Sequence, residues 1–256
     1  MDNLLELKWG VFTPVHIATL VLAAVIVVGL YFILKNKTEK TKRIVLFILS
    51  LWGPTAVMYN ILVWGLKSTV LEYLPLHLCS FSAMLIPVLI LTKSNLIGNL
   101  LPIYSLGALA ALLLNSIQAD YLVFSVPFLM YYFPHVLYMG LPVLVVALGL
   151  VKIKPKYILP CVAFTFTAYT VIHFINVAIN KYLAAHSILD AYGNTITVNY
   201  MFSLDPQGNP ALVFFWNLIP HEYFYMLTVI PIVALGYALM NIKNFVHYFK
   251  NKKSVN

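Results

Sequence analysis

The chain has 256 residues, 62% of them apolar and only 9% charged, and its mean hydropathy of +0.89 lies far above that of soluble domains. Sixteen basic residues against eight acidic ones leave a net charge of +8, with no aromatic-basic module that would turn this charge toward nucleic acid. These values exclude a soluble globular enzyme and predict an all-α, polytopic membrane protein, a single transmembrane domain over residues 1–256.

Runs of about 20 mostly apolar residues cross ~30 Å of hydrocarbon as helix. Such runs fall near residues 14–34, 44–66, 74–92, 96–116, 128–150, 157–180 and 212–240, which predicts a seven-helix bundle. The first run is not read as a signal peptide, because its basic cluster follows the apolar stretch. Between the first two runs come Lys35, Lys37, Lys40, Lys42 and Arg43, and Lys93 follows the third. Lys152, Lys154 and Lys156 follow the fifth, and Lys243, Lys250, Lys252 and Lys253 form the tail. Thirteen of the 16 basic residues thus alternate to one side of seven crossings, while seven of the eight acidic ones share the other side with Lys8, Lys67 and Lys181. The positive-inside rule then places the N-terminus outside and the C-terminus in the cytoplasm of a multi-pass protein of the cell membrane. The longest connection, 181–211, carries the turn signals "YGN" and "DPQGNP" on the outer side.

Topology gives each intramembrane polar group a depth. His16, Tyr59 and Asn60, the segment "LPLHLCSFS" with His77, Cys79, Ser80 and Ser82, Asn115 and Ser116, His135, His173 and Asn176, and His221 with Glu222 all fall in the outer half. Such groups are costly in hydrocarbon and face a bundle interior or a wet cavity. Their clustering on one side predicts a single polar chamber opening outward, and fits less well a path through the full thickness. His16 and Asn176 read as packing residues, Tyr131 and Tyr132 as part of an aromatic belt, and Ser80 and Ser82 as hydroxyls bonded back to a preceding carbonyl.

Cys79 and Cys161 lie in the first turns of oppositely directed helices, too far apart for a disulfide. An i, i+2 pair is separated by about 200° of helix rotation, so His77 and Cys79 should not face each other, and the base for Cys79 comes from another helix. Pro75 suits a first helical position, which sets Cys79 near the positive end of the helix dipole, where a thiolate nucleophile is favoured. His135 or His221, at matching depth, accepts the proton, and His77 orients that acceptor or donates to a developing oxyanion. Asn60, Asn115, His173, Tyr200 and Glu222 are candidates to bind substrate. No HxxxH or HxxH pair supports a metal site, and no cofactor is expected.

The segments "LPLHLCSFS", "YYFPHVLY" and "VNYMFSLDPQGNP" resemble those of YwaF-type integral membrane proteins, related to the transmembrane-protein-164 family of phospholipid acyltransferases. The resemblance covers the helix order over most of the chain. It implies acyl transfer between lipids through a cysteine thioester, with Cys79 at the family cysteine's position, His135 in the fifth-helix pattern, and His221 matching a last-helix histidine by order. The histidine beside the cysteine follows it in the eukaryotic relatives, whereas His77 precedes Cys79. The partners implied are a membrane phospholipid and a lysolipid. A different class of function, a solute or proton-coupled transporter or a receptor that titrates the histidine cluster, is the alternative.

Overall fold

The computed structural model describes residues 7–114, 118–190, 193–242, 244 and 246. Its first helix, α1 (Pro14–Leu34), starts where Thr13 caps the His16 N–H and Pro14 occupies the first turn. A continuous helical run follows, made of α2 (Glu39–Ser50), α3 (Trp52–Asn60) and a π-helical turn over Ile61–Gly65. After a loop come α4 (Leu78–Thr92), α5 (Asn95–Leu113) and α6 (Val126–Ala147), and then α7 (Ile158–Ala185). Three short pieces follow among the described residues, α8 (Pro210–Leu218), α9 (Phe224–Leu227) and α10 (Ile230–Met240). Among the described residues five helical stretches are long and apolar enough to cross a membrane, and two shorter apolar ones, Leu78–Thr92 and Phe224–Met240, accompany them.

The stretch 212–240, expected as one helix, is therefore broken. Tyr223 takes a left-handed backbone (φ +64°), which interrupts the helical hydrogen bonds, and His221 and Glu222 sit in the break instead of on a helix face.

The centre of the bundle is α4, α5 and α6, of which the last two pack most extensively. Ala83, Ile86, Leu89, Leu101, Leu137, Leu141 and Leu144 are nearly inaccessible there. α1 buries only His16, Thr19, Ala23 and Leu34, one narrow stripe at i, i+3, i+7, and leaves its other apolar side chains outward, as a helix facing lipid does. His16 is a structural residue: its Nδ1 accepts from the Phe12 N–H at 2.9 Å, so Nε2 carries the proton and donates to Leu112 O at 2.7 Å. Across the bundle, Arg43 donates to Ile90 O and Leu91 O at 3.1 and 2.7 Å, satisfying carbonyls that the last turn of α4 leaves open.

Close approach of α1 to α6 depends on Gly140. A Cβ there would stand 2.4 Å from Val27 Cγ2, whereas at Gly29 nothing lies within 4 Å. Gly140→Ala is expected to destabilise the fold by about 1–3 kcal/mol through overpacking, and Gly29→Ala to be neutral or slightly stabilising. Thermal unfolding midpoints in detergent check both.

Candidate functional site

His77 ends the loop before α4 in an extended conformation and is its N-cap residue, but its side chain makes no capping bond. The ring instead packs against Tyr200 at 5.1 Å and Phe202 at 5.8 Å. Cys79 is the second residue of α4, partly buried and packed against the central core. The helix begins at Leu78 and not at Pro75, so it is the extended backbone of His77, and not helical spacing, that sets the two apart: His77 and Ser80 line a cavity, while Cys79 packs on the core cluster that contains Tyr138 of α6.

Tyr131 and Tyr138 bracket His135. Its ring stacks on Tyr131 at 4.1 Å and meets Tyr138 edge-on at 5.4 Å. Its Nδ1 lies 2.7 Å from Tyr131 O, and a carbonyl only accepts, so Nδ1 carries the proton and Nε2 keeps its lone pair. Among the described residues neither that Nε2 nor the Cys79 thiol has a hydrogen-bond partner. Gly53 makes room for the Tyr138 ring, since a Cβ there would meet Tyr138 Cε1 at 2.9 Å.

One face of α7 grips the segment that reaches His77. Asn176, fully buried, donates to Tyr200 O at 2.8 Å and Ser203 Oγ at 2.9 Å and accepts from the Tyr200 N–H at 3.0 Å. One turn away His173 Nδ1 pairs with Ser203 Oγ at 3.1 Å, and one turn beyond in the other direction Asn180 exchanges two bonds with Val198. Tyr169 donates to Tyr223 O at 2.7 Å, and the Tyr223 N–H donates to Ser203 O at 2.7 Å. Met201 and Phe202 are both held at positive φ, a strained backbone that persists only where its surroundings over-determine it. Tyr200 in turn accepts from the Leu74 N–H at 3.1 Å and donates to Leu71 O, which fixes the loop leading into α4.

Two hollows flank this segment. The first, of about 280 Å3, is lined by Asn60, Glu72, Tyr73, His77, Ser80 and Gln207 among others. The second, of about 320 Å3, is an apolar groove between Leu76 and Phe81 on one side and Phe164, Ala168, Val171 and Ile175 of α7 on the other. Of the residues singled out in the sequence, His77, Asn60 and Tyr200 meet at the cavity, and Cys79 packs on the core cluster that contains Tyr138, the ring that His135 meets. His173 belongs to the clamp. His221 is exposed, with Nδ1 at 2.7 Å from Glu222 O and its ring against Phe224, and no contact joins it or Glu222 to Cys79. Asn115 lies outside the described residues. Among the described residues no group of three or more His, Cys, Asp or Glu could hold a metal ion. Sequence reasoning missed Ser203, Asn180 and Tyr223, and it took Tyr131 for a belt residue. The polar run "VNYMFS" was the available signal for the first of these.

A family model described as the TMEM164 family matches residues 11–241. No curated protein and no solved structure matches the chain.

Proposed function

The chain belongs to the TMEM164 family, and from that premise we propose that it is a membrane acyltransferase moving a fatty acyl chain between lipids through a thioester on Cys79. The observation that supports the reading is the packing of Cys79 against the core cluster that contains Tyr138, whose ring meets that of His135 edge-on while Tyr131 stacks on the other side of His135. His135 Nε2 takes the thiol proton as Cys79 Sγ attacks an ester carbonyl. The tetrahedral intermediate collapses to the thioester, and the departing lysolipid alkoxide takes the proton from His135. An acceptor hydroxyl then gives its proton to His135 and attacks the thioester, and the thiolate leaves and is reprotonated. Two accessible steps replace one difficult exchange. The apolar groove beside Leu76 and Phe81 suits an acyl chain, and the exposed Phe164 and Val171 that line it leave it open to the outside of the bundle.

His135 fits the role of base better than His221, whose exposed ring bonds to its own loop. The transporter or receptor reading needs the histidines to converge on one site, whereas His16 and His173 bond in separate places, to Leu112 O and Ser203 Oγ. By the positive-inside rule we place the Cys79 end of the bundle outside, the C-terminus in the cytoplasm and the protein in the cell membrane, with seven crossings.

The test of the activity uses proteoliposomes holding a phospholipid with an isotope-labelled acyl chain and an unlabelled lysophospholipid. Label should move to the lysolipid without added acyl-CoA or metal. Recovery of all label in the donor, from protein that remains folded, contradicts the reading.

Orientation has a separate test. Cys161 is fully buried, its thiol directed to Leu96 O at 3.8 Å, while Cys79 retains accessible surface. In sealed vesicles a thiol reagent on the extracytoplasmic side should label Cys79 and leave Cys161 untouched. Labelling of Cys79 only from the cytoplasmic side means the topology is inverted, and outer-leaflet chemistry goes with it.

A further inference from the structure

Residues 7–10 form a strap along the loop that leads into α6. The Trp9 and Gly10 N–H groups donate to Tyr121 O and Ala119 O at 2.9 and 2.8 Å, and the Val123 N–H donates to Leu7 O at 2.8 Å. Lys8 pairs with Asp120 at 2.6 Å. The strap carries Trp9 inward, where the side chain is fully buried. Its Nε1 donates to Thr19 Oγ1 of α1 at 2.8 Å, and its ring stands edge-on to Phe128, Tyr131 and Tyr132 of α6 at 5.2, 5.8 and 6.1 Å.

Tyr131 is the ring that stacks on His135 at 4.1 Å. Its hydroxyl donates to Ala111 O at 3.1 Å, and Tyr121, from the loop that the strap pairs with, meets it edge-on at 6.4 Å. Trp9 lines neither hollow. What it reaches is His135, by way of Tyr131.

The chain holds the same pair a second time without a strap. Tyr182 and His186, four residues apart at the end of α7, place their rings 4.2 Å apart with His186 Nδ1 at 2.9 Å from Tyr182 O. Four-residue spacing alone therefore makes the stack and the Nδ1 bond. Both of those residues are exposed, and water competes there for the ring nitrogens. Tyr131 is instead held by Trp9, Tyr121 and Ala111 O. The strap thus adds permanence to a contact that local spacing already makes. With Tyr131 fixed, His135 keeps Nδ1 on the Tyr131 carbonyl and its Nε2 lone pair in one direction, and a base so oriented transfers a proton faster than one that wanders.

We propose that Trp9 is a positioning residue for His135: through Tyr131 it keeps the imidazole in a single Nδ1–H tautomer with Nε2 free to take a proton. The catalytic consequence rests on the acyl-transfer reading. The tautomer is read without turnover, so the two can fail separately.

The test labels the histidines of the full-length protein in nanodiscs with nitrogen-15 and identifies the His135 signals in the NMR spectrum by their loss in His135→Gln. The unmodified protein should show the Nδ1–H tautomer of His135 alone. Trp9→Ala should shift the ratio toward Nε2–H at least about fivefold, the weight of one neutral hydrogen bond. It should also lower kcat for acyl transfer about tenfold, a part of what a positioned base contributes, and leave KM unchanged. Trp9→Phe, which keeps an aromatic edge against Tyr131, should restore most of both. A mixture of tautomers in the unmodified protein overturns the proposal. So does a folded Trp9→Ala protein in which His135 stays wholly Nδ1–H, whether or not transfer falls, because a merely structural residue would lower transfer without moving the tautomer. A tautomer shift in Trp9→Ala with no transfer by the unmodified protein supports the positioning of His135 and fails the acyl-transfer reading alone. Should Trp9→Ala not fold, Trp9→Leu, which keeps apolar bulk and lacks the aromatic edge, decides by the same ratio.

Discussion

Cys79→Ala is expected to lower acyl transfer at least about a thousandfold, to the level of vesicles without protein, because loss of a nucleophile removes the covalent route entirely. The substitution should leave the fold intact, since Cys79 makes no hydrogen bond among the described residues and the side chain removed is small. His135→Ala should cost on the order of 10²–10⁴-fold, the usual contribution of a positioned general base. His221→Ala should leave the rate within a few-fold, because that ring contacts Phe224 and its own loop. Rates measured side by side in the proteoliposome exchange assay check all three. A Cys79→Ala protein that retains transfer removes the thioester, and a His221→Ala loss larger than that of His135→Ala reverses the choice of base.

Asn176→Leu should have the largest effect on stability. The residue is fully inaccessible, and an apolar side chain of similar size would leave the Tyr200 N–H unpaired and take one of two partners from Tyr200 O and from Ser203 Oγ, which keep the Ser203 N–H and His173. Buried polar groups left unpaired cost about 1–3 kcal/mol each, and some of these find other partners as the loop relaxes. A net loss of about 2–4 kcal/mol is expected, read as a lower thermal unfolding midpoint in detergent and faster proteolysis within residues 193–209. The same change frees Tyr200 from one side of His77, so the loop entering α4 loosens as well. An unchanged midpoint would mean that the α7 clamp is not what holds this segment.

Much of the architecture was legible because long apolar runs are bounded by charge and by caps. Thr13 with Pro14, Thr38, Ser94 and Ser125 stand at helix starts, where their hydroxyls cap open N–H groups. The angular argument at His77 and Cys79 did not apply, because 100° per residue holds only inside a helix and His77 is the extended residue before its first turn. The break at 219–223 was hidden because hydropathy averages over a 20-residue window, and Tyr223 gives no glycine-like signal of its left-handed backbone. The α7 clamp was hidden for another reason. Asn176 and Asn180 are read as ordinary polar residues of a membrane helix until the chain, some twenty residues later, returns to present Val198, Tyr200 and Ser203 to them. Likewise the cavity at Glu72 is assembled from residues as far apart as Asn60 and Gln207, and no local pattern foretells such a convergence.

The central claim, a covalent acyl group on Cys79, is tested most directly by intact-protein mass spectrometry after incubation with a phospholipid carrying a deuterated acyl chain. The account predicts a single adduct with the mass of that acyl group, mapped to the peptide containing Cys79, released by neutral hydroxylamine, and absent from Cys79→Ser treated under the same mild conditions. An acyl adduct that persists unchanged in Cys79→Ser contradicts it.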